Sequence, residues 1–451
     1  MKQFAYLILA VLPLFVSCKD ENSAHLKGQS DVSSGSIILK YSGLSSMVGS
    51  SKDVIVDTDE NGQFDITIPL SEPTYFSLDK ATLYLTPGDD LTINIKKNLS
   101  DWIIEGKGAK ANIYLRDRRP IQVTPQLSAD TPLKDYVPEM NVQVEEQMSQ
   151  AFAQVDKLKG VSSEFKDMER ARINAEVFDV YFRVSENYYR IVRNIIPKER
   201  EQAIFDFFVA AAPFVIPTIE KTNEDKYLAL APVRRNFIYE KYDPAKSIFK
   251  SSVATPARKE LIEAYNVMFS LGREGINART IERANLFIAT ISNQELKNEI
   301  TPRIEHMSKI LPGNPAIDFE MEKQDGTKVK LSDYKGALLY LDFWATWCGP
   351  CIAESPYFDA LAKKYQGKDI HFIKICVSDQ KSAWLKYLEE HKALTMSFFT
   401  EDTATKTDWY VQAIPRFMII GADFNIINSD ATRPSHSDIE RILNDALKAL
   451  R

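Results

Sequence analysis

The chain has 451 residues, of which 44% are hydrophobic and 26% are charged, so its composition is that of an ordinary globular protein. These proportions exclude a disordered or collagen-like chain. The formal net charge is -6, from 56 Lys+Arg against 62 Asp+Glu, and this excludes the basic surplus expected of a nucleic-acid-binding protein. Four cysteines are too few for a disulfide-scaffolded fold. The length favours a multidomain protein of about three domains.

The N-terminal residues have the features of a secretory signal. Lys2 is the only charged residue before Lys19, and residues 4–16 between them are apolar. This stretch is too short to cross a bilayer, which takes about 20 helical residues, but it fits the hydrophobic region of a signal peptide. Ser17-Cys18 at its end resembles a lipobox, whose cysteine is acylated and becomes the new N-terminus. We therefore predict a lipoprotein signal peptide over residues 1–17; an ordinary cleaved signal and an uncleaved core segment remain alternatives.

Two segments follow the predicted signal. Residues 18–35 are polar and predict a flexible tether, and Lys19-Asp20-Glu21 at their start resembles the export tag of some surface-exposed lipoproteins. Residues 36–108 consist of short runs that alternate polar and apolar residues, with turn residues such as Asn61-Gly62 between them. This pattern predicts a small antiparallel β-domain resembling a sandwich.

The rest of the chain changes pattern twice. Residues 109–310 contain long stretches with apolar residues three and four apart, which predicts a helical middle region. Within it, one continuous helical stretch is predicted over 279–310. Residues 311–451 return to alternating strands and helices, and the apolar run 337–343 is typical of a buried strand. An α/β domain is therefore predicted at the C-terminus.

The chemistry is expected at a pair of cysteines, Cys348 and Cys351, which follow the buried strand and open a predicted helix. A helix N-terminus offers unpaired N–H groups and a partial positive charge, so it lowers the pKa of the Cys348 thiol. Pro350 lacks an N–H and fits the first helical turn. The Cys348 thiolate can attack a substrate disulfide, and Cys351 can then resolve the mixed disulfide.

A zinc site and a purely structural disulfide are alternative roles for the cysteine pair. A zinc site would need two further ligands, but there is no second Cys-x-x-Cys and the five histidines are scattered. A purely structural disulfide is the second alternative. We predict no metal and no cofactor. Cys376 lies in the alternating run 372–377, which predicts a buried free thiol rather than a third redox partner.

The sequence Trp344-Ala-Thr-Trp-Cys-Gly-Pro-Cys351 resembles the active site of thioredoxin. Residues 311–451 as a whole resemble the TlpA/ResA group of extracytoplasmic thioredoxin-like proteins. Further matching segments are 315–319, 325–326, 331–336, 377–384 and 433–435. The stretch 59–91 resembles a β-domain of unassigned function that precedes thioredoxin-like domains in some Gram-negative lipoproteins. The resemblance implies a C-terminal thioredoxin-like fold and a thiol–disulfide oxidoreductase.

The resemblance also implies roles for individual residues. Ile414-Pro415 matches the cis-proline that faces the cysteine pair. The residues expected to contact substrate are Trp347, Gly349, Pro350, Ile414 and Pro415. Asp342 falls at the buried acid of thioredoxin, where a raised pKa would let it take the proton of Cys351. Glu354 matches the glutamate that many TlpA/ResA proteins use instead of that acid, and a solvated helix residue is its alternative reading.

By this resemblance we expect an enzyme that reduces protein disulfides outside the cytoplasm, since Gly-Pro between the cysteines is the dipeptide of reducing thioredoxins. Its expected partners are protein disulfides, a membrane electron donor and, through Cys18, a membrane, without any nucleic acid. The expected location is the periplasm, anchored to the outer membrane, with cell-surface exposure as an option. A peroxiredoxin is the first alternative, although its Pro-x-x-x-Thr/Ser pattern is absent before Cys348. A non-enzymatic surface lipoprotein is the second.

Overall fold

A computed structural model describes residues 22–31, 35–49, 51–128, 130–192, 197–242, 255–391, 395–401, 403–411 and 413–449. The predicted signal peptide and Cys18 lie outside the described residues. The chain divides into two compact units, one made of Met1–Ser46 with Ser50–Arg258 and the other of Met47–Gly49 with Lys259–Arg451. The predicted order of a β-domain, a helical region and a C-terminal α/β domain is confirmed. The division at residue 258, however, splits the predicted helical segment 109–310 between the two units.

The first unit begins with a β-sandwich. Its strands are β1 (Ser23–Ser30), β2 (Ser36–Tyr41), β3 (Val54–Asp57), β4 (Gln63–Pro69), β5 (Thr74–Leu78), β6 (Ala81–Leu85), β7 (Asp90–Ile95) and β8 (Ile103–Lys107). They form two sheets with the orders β4-β1-β7-β8 and β3-β2-β5-β6, and residues from both sheets share one apolar core. The strand pairs are antiparallel as predicted, except that β1 and β7 run parallel.

Strand β1 corrects the prediction of a tether over residues 18–35, which is wrong for Ser23–Ser30. Ala24 and Leu26 are fully buried, so this polar-looking segment supplies part of the sandwich core. Gly28 lies so close to β7 that a Cβ atom would be 1.9 Å from the carbonyl oxygen of Ile93. The position therefore requires glycine. The strand is a central element of its sheet, held on both edges by β4 and β7.

The described residues of the first unit also contain the helices α1 (Ala109–Asp117), α2 (Val137–Lys157), α3 (Ser163–Ile191), α4 (Pro197–Glu220) and α5 (Ala231–Tyr242). The start of α3 is fixed by Ser162, whose hydroxyl accepts a hydrogen bond from the Phe165 N–H at 3.0 Å.

Within the described residues, one helical stretch, Lys198–Glu220, is long and apolar enough to cross a bilayer by length and composition. In its most apolar window, 39% of the residues are buried in the protein.

A buried ionic cluster joins the sandwich to α3. The Glu169 carboxylate of α3 is fully buried, accepts a hydrogen bond from the Tyr75 hydroxyl of β5 at 2.9 Å and pairs with Arg172 at 3.0 Å. Arg118, which follows α1, pairs with Glu176 at 2.7 Å. Because these charges have little access to water, each depends on its partners for stabilisation. The sandwich and the helices therefore form one structural unit.

We expect Glu169→Ala to lower the free energy of unfolding by about 3–5 kcal/mol, because it leaves the buried Arg172 guanidinium without its carboxylate partner. Chemical denaturation followed by circular dichroism measures this change. The matched control is Glu105→Ala, which removes an exposed carboxylate from β8 of the same unit and should cost under about 0.5 kcal/mol. Equal effects of the two substitutions would contradict a stabilising role for the cluster.

The second unit contains the helices α6 (Pro256–Glu274), α7 (Ala278–Thr290) and α8 (Gln294–Lys309), with the first residues of α6 belonging to the first unit. The single helical stretch predicted over 279–310 is thus interrupted. The break occurs where the Asn293 side chain accepts a hydrogen bond from the Leu296 N–H at 3.1 Å and caps α8. Ile310, just after α8, is fully buried in the same apolar core as the sheet that follows.

That sheet has seven strands: β9 (Glu320–Glu322), β10 (Lys328–Lys330), β11 (Leu338–Trp344), β12 (Ile370–Cys376), β13 (Met396–Phe399), β14 (Arg416–Ile420) and β15 (Ile426–Asn428). Their order is β10-β9-β13-β12-β11-β14-β15. The helices α9 (Gly349–Lys364), α10 (Lys381–Glu390), α11 (Thr403–Asp408) and α12 (Ile439–Lys448) connect or follow these strands. All seven residues of β11 are buried between its neighbours, parallel β12 and antiparallel β14, as the apolar run predicted.

Candidate active site

The cysteine pair lies where β11 ends and α9 begins. Cys348 is the N-cap residue of α9, and its sulfur accepts a hydrogen bond from the Cys351 N–H at 3.2 Å. Gly349 and Pro350 form the first turn between the cysteines, as the sequence predicted. The helix N-terminus therefore directs the Cys351 N–H toward the Cys348 sulfur, an arrangement that would stabilise a thiolate there in the reduced form.

The two cysteines are joined as a disulfide, with their Cα atoms 5.3 Å apart. Cys348 is 4% exposed and Cys351 is 2% exposed, so accessibility hardly distinguishes them in the oxidised state. What distinguishes the two sulfurs is their position on the helix, because only Cys348 caps it. The geometry thus supports Cys348 as the attacking residue and Cys351, one turn inside the helix, as the resolving residue.

The tryptophan before the pair is prominent on the surface. Trp347 is 65% exposed, and its indole N–H donates to the Ser378 carbonyl oxygen at 2.9 Å. The adjacent Thr346 N–H donates to the Asp379 carboxylate at 2.6 Å. A cavity of about 500 Å³ next to Trp347 is lined in part by Asp379, Gln380 and Lys406. Trp347, one residue before Cys348, is therefore exposed at the edge of a surface cavity.

The peptide bond between Ile414 and Pro415 is cis, as the sequence predicted. It immediately precedes β14, which pairs with β11. Ile414 packs against the apolar cluster that contains both Cys348 and Cys351. The structure therefore brings the cis-proline segment and the disulfide together. Arg416, the next residue, donates instead to the Ser429 carbonyl oxygen at 3.0 Å.

Asp342 is a buried acid on the strand that leads to the disulfide. It is 2% exposed, and its Oδ1 has no hydrogen-bond partner within the described part of the chain. Burial raises the pKa of the Asp342 carboxyl to about 7; the nearby Lys374 ammonium opposes this rise, and the Glu354 and Asp359 carboxylates add to it. A carboxyl with this pKa would hold or release a proton near neutral pH, which is the property that the expected role of Asp342 requires.

Glu354 is buried on α9, so the alternative of a solvated helix residue is wrong. Its carboxylate accepts hydrogen bonds from the Ser435 N–H at 3.1 Å and from the Ser435 hydroxyl at 2.9 Å, and Arg433 lies 3.8 Å away. Glu354 therefore ties the segment before α12 to the active-site helix. The Glu354 carboxylate is thus held by hydrogen bonds, whereas Asp342 Oδ1 has no partner within the described residues.

Lys374 was not predicted from the sequence as a site residue. It lies on β12 directly opposite Asp342 of β11, is buried, and its ammonium donates to the Ser355 hydroxyl at 2.5 Å and to the Asp359 carboxylate at 3.0 Å. A charged residue inside the otherwise apolar run 372–377 was the available signal. Its partners could not be read from the pattern, because they come from the second and third turns of α9.

Cys376 carries a free thiol and is fully buried, as predicted. Burial, followed by the nearby Asp379 carboxylate, raises the pKa of this thiol. Although Cys376 belongs to the same apolar cluster as Cys348 and Cys351, its thiol stays protonated and covered. A protonated buried thiol is a poor nucleophile.

We expect Cys376→Ala to change the turnover of disulfide reduction by less than about twofold, because a buried, protonated thiol has no step to perform. Turnover with insulin as substrate measures this. In the native wild-type protein, the Cys376 thiol should react with a thiol reagent only after unfolding. A large loss of turnover, or fast native-state labelling of Cys376, would contradict its assignment as a core residue.

Within the described ranges, no group of three or more His, Cys, Asp and Glu side chains is arranged to hold a metal ion.

Comparison with known proteins places these residues in a family context. Residues 311–444 match the sequence profile of the Redoxin family. The chain is 25% identical over 135 residues to the thiol-disulfide oxidoreductase ResA of Bacillus cereus, a match that covers 30% of this chain and 78% of that protein. The corresponding protein of Bacillus subtilis is 24% identical over 135 residues, covering 30% of this chain and 75% of that protein.

Solved structures include a Bacteroides vulgatus protein that is classed provisionally as a thiol-disulfide oxidoreductase. It is 48% identical, and the match covers 31% of this chain and 99% of that one, with a TM-score of 0.30. The Redoxin match spans the strand with Asp342, the Cys348–Cys351 disulfide, Glu354 and the cis-proline.

Proposed function

We propose, since residues 311–444 form a TlpA/ResA-like thiol-disulfide oxidoreductase domain of the thioredoxin family, that this protein reduces the disulfide bonds of other proteins outside the cytoplasm. The observation that carries the proposal is the position of Cys348, which caps α9, is bonded to Cys351 and lies against the cis-proline segment. A buried acid whose pKa is about 7 precedes it on β11.

The reaction follows from this geometry. In the dithiol form, the Cys348 thiolate attacks one sulfur of a substrate disulfide, so that a mixed disulfide forms and the other substrate sulfur leaves as a thiolate. Asp342 then takes the proton of Cys351, and the Cys351 thiolate attacks the Cys348 sulfur. The second substrate thiolate leaves, and the Cys348–Cys351 disulfide forms. The substrate gains two electrons and the enzyme loses two.

The direction of exchange is proposed from the dipeptide Gly349-Pro350 between the cysteines. Reducing thioredoxins have reduction potentials of about −270 mV, whereas the bacterial periplasm is kept oxidising. Repeated turnover outside the cytoplasm therefore requires a donor of two electrons to return the disulfide to the dithiol. A membrane-bound dithiol donor is the class of partner that this requirement implies.

The proposed function is tested by mixing the protein with insulin and dithiothreitol and following the precipitation of reduced insulin chains. Thiol titration of the native protein before and after mild reduction should show a gain of two thiols. The double variant Cys348→Ser/Cys351→Ser should show neither result. Consumption of hydrogen peroxide at a comparable rate would favour a peroxiredoxin instead, and the absence of both activities would favour a non-enzymatic surface protein.

The proposed location rests on the N-terminal sequence. A basic residue, the apolar stretch 4–16 and Ser17-Cys18 together support a lipid anchor on Cys18 and a position in the periplasm at the outer membrane. Mass spectrometry of the mature N-terminus should find an acylated Cys18, and Cys18→Ala should release the protein from membranes. An unmodified terminus at another residue would rule the anchor out while leaving the oxidoreductase untouched.

A further inference from the structure

We propose that Asp359, on α9, is a positioning residue for the exchange reaction, because it holds in a salt bridge the Lys374 ammonium that would otherwise be available to Asp342. The inference rests on the proposed function, since it concerns the carboxyl that takes the proton of Cys351. Asp359 acts through its contact with Lys374.

The register of the sheet makes Lys374 the natural partner of Asp342. The two residues lie opposite each other on the parallel strands β11 and β12, so their side chains emerge on the same face. Both are buried, and a buried ammonium requires an anion or several acceptors. A direct Lys374–Asp342 pair would satisfy that requirement, but it would also fix Asp342 as a carboxylate that could not easily accept a proton.

The structure shows a different pairing. The Lys374 ammonium donates to the Asp359 carboxylate at 3.0 Å and to the Ser355 hydroxyl at 2.5 Å. The same Asp359 oxygen accepts a hydrogen bond from the Thr395 hydroxyl at 2.9 Å, which fixes its orientation. Asp342 Oδ1 has no partner within the described residues. Lys374 is therefore bound to the helix rather than to the acid opposite it.

The charges that act on Asp342 come from two elements, β12 and α9. Lys374 on β12 favours its ionised form, whereas Glu354 and Asp359 on α9 disfavour it. Tyr340, on β11 itself, is near enough to interact electrostatically with Asp342. On the remaining neighbour, β14, the residue opposite Asp342 is the uncharged Phe417. Glu354 is already held by Ser435, so Asp359 is the carboxylate whose pairing determines how far the lysine charge acts on Asp342.

The test is Asp359→Asn, which keeps the shape and an acceptor oxygen but removes the negative charge. Carbon-13 NMR of the Asp342 carboxyl in the oxidised protein should show its titration midpoint falling by about one pH unit, because the lysine charge is no longer balanced. The midpoint of the low-pH limb in the pH profile for disulfide reduction should move to lower pH by the same amount. Lys374→Met should move both in the opposite direction.

Three further variants keep the test decisive. Asp369→Asn makes the same chemical change at an exposed site of the same domain and should leave both readouts unchanged. Asp359→Glu, which retains the charge, should restore most of the wild-type midpoint. Thr395→Val removes a hydrogen bond to Asp359 without removing a charge, and it should lower the titration midpoint of Asp342 by a smaller amount. This variant provides the test if Asp359→Asn fails to fold.

The proposal would be overturned if the titration midpoint of Asp342 stayed unchanged or rose in both Asp359→Asn and Thr395→Val. In that case Asp359 would have only a structural role, and any loss of stability in the variants would reflect that role. The result is separable from the proposed function. The carboxyl titration is measured on the oxidised protein and needs no turnover, so a wild-type protein without reductase activity would refute the function and still report on Asp359.

Discussion

Replacing Cys348 by serine is expected to abolish the reduction of insulin disulfides, whereas replacing Cys351 by serine is expected to accumulate a covalent adduct with substrate. Cys348 caps α9, where its thiolate is stabilised, so its loss removes the nucleophile of the first step. Cys351 acts only in the second step. A serine at 351 cannot attack the mixed disulfide, and the intermediate therefore persists.

Non-reducing gel electrophoresis of each variant after incubation with an oxidised substrate distinguishes the two roles. The adduct of Cys351→Ser should disappear on addition of dithiothreitol, and the double variant should form none. Adducts that form through Cys351 in the Cys348→Ser variant would reverse the assignment. Because the trapped partner can be identified by mass spectrometry, the same variant also reports the natural substrate.

Replacing Asp342 by alanine is expected to slow turnover by about 10²–10⁴-fold at neutral pH, the usual contribution of a general acid–base group. Without the carboxylate, the Cys351 proton has to leave to water through a buried environment. In the wild type, the rate of the resolving step should rise with pH through about 7, where Asp342 becomes ionised. In the variant, that limb should be absent.

Stopped-flow measurement of the resolving step against pH provides the test. Glu354→Ala is the matched control, since it removes the other buried carboxylate near the pair but one that is bound to Ser435. It should retain the limb near pH 7. If Asp342→Ala keeps wild-type turnover and Glu354→Ala loses it, the proton carrier is Glu354.

The same acid makes stability depend on pH. The pKa of Asp342 is about 7 in the folded protein and about 4 in an unfolded chain, so the folded state binds the proton more tightly. Its stabilising contribution is complete below pH 4 and is lost as the pH rises through 7, a change on the order of 4 kcal/mol. The melting temperature of Asp342→Asn, measured relative to that of the wild type, should therefore increase between pH 4 and pH 8.

The elements that surround the cysteines could be predicted because each one is specified locally. The apolar run of β11 required a buried strand, and Cys348 with Pro350 marked the start of α9. The burial of Asp342 followed from its neighbours on that strand. Such positions depend on the residues next to them in the chain, so the sequence pattern carried the information.

The features that could not be predicted depend on distant residues. Strand β1 looks polar, and only its pairing with β4 and β7 accounts for the burial of Ala24 and Leu26. Likewise, the partners of Lys374 lie 15 and 19 residues away on a helix that packs over the strand. In β1 only Ala24 and Leu26 are apolar residues alternating with polar ones, which is too short a run to indicate a buried strand, and the contacts of Lys374 leave no periodic trace. Predicting them requires the three-dimensional arrangement.

If Cys18 carries the proposed lipid, the early start of β1 limits how far the sandwich can lie from the bilayer. Only four residues, 19–22, separate Cys18 from Ser23, the first residue of a strand in the sandwich. Even fully extended, that length of chain reaches only about 18 Å. An acylated Cys18 would therefore keep the sandwich at the headgroup surface, because no long flexible linker separates the two. Lengthening this segment by a glycine-serine insertion would then enlarge the volume that the first unit can sample above the membrane.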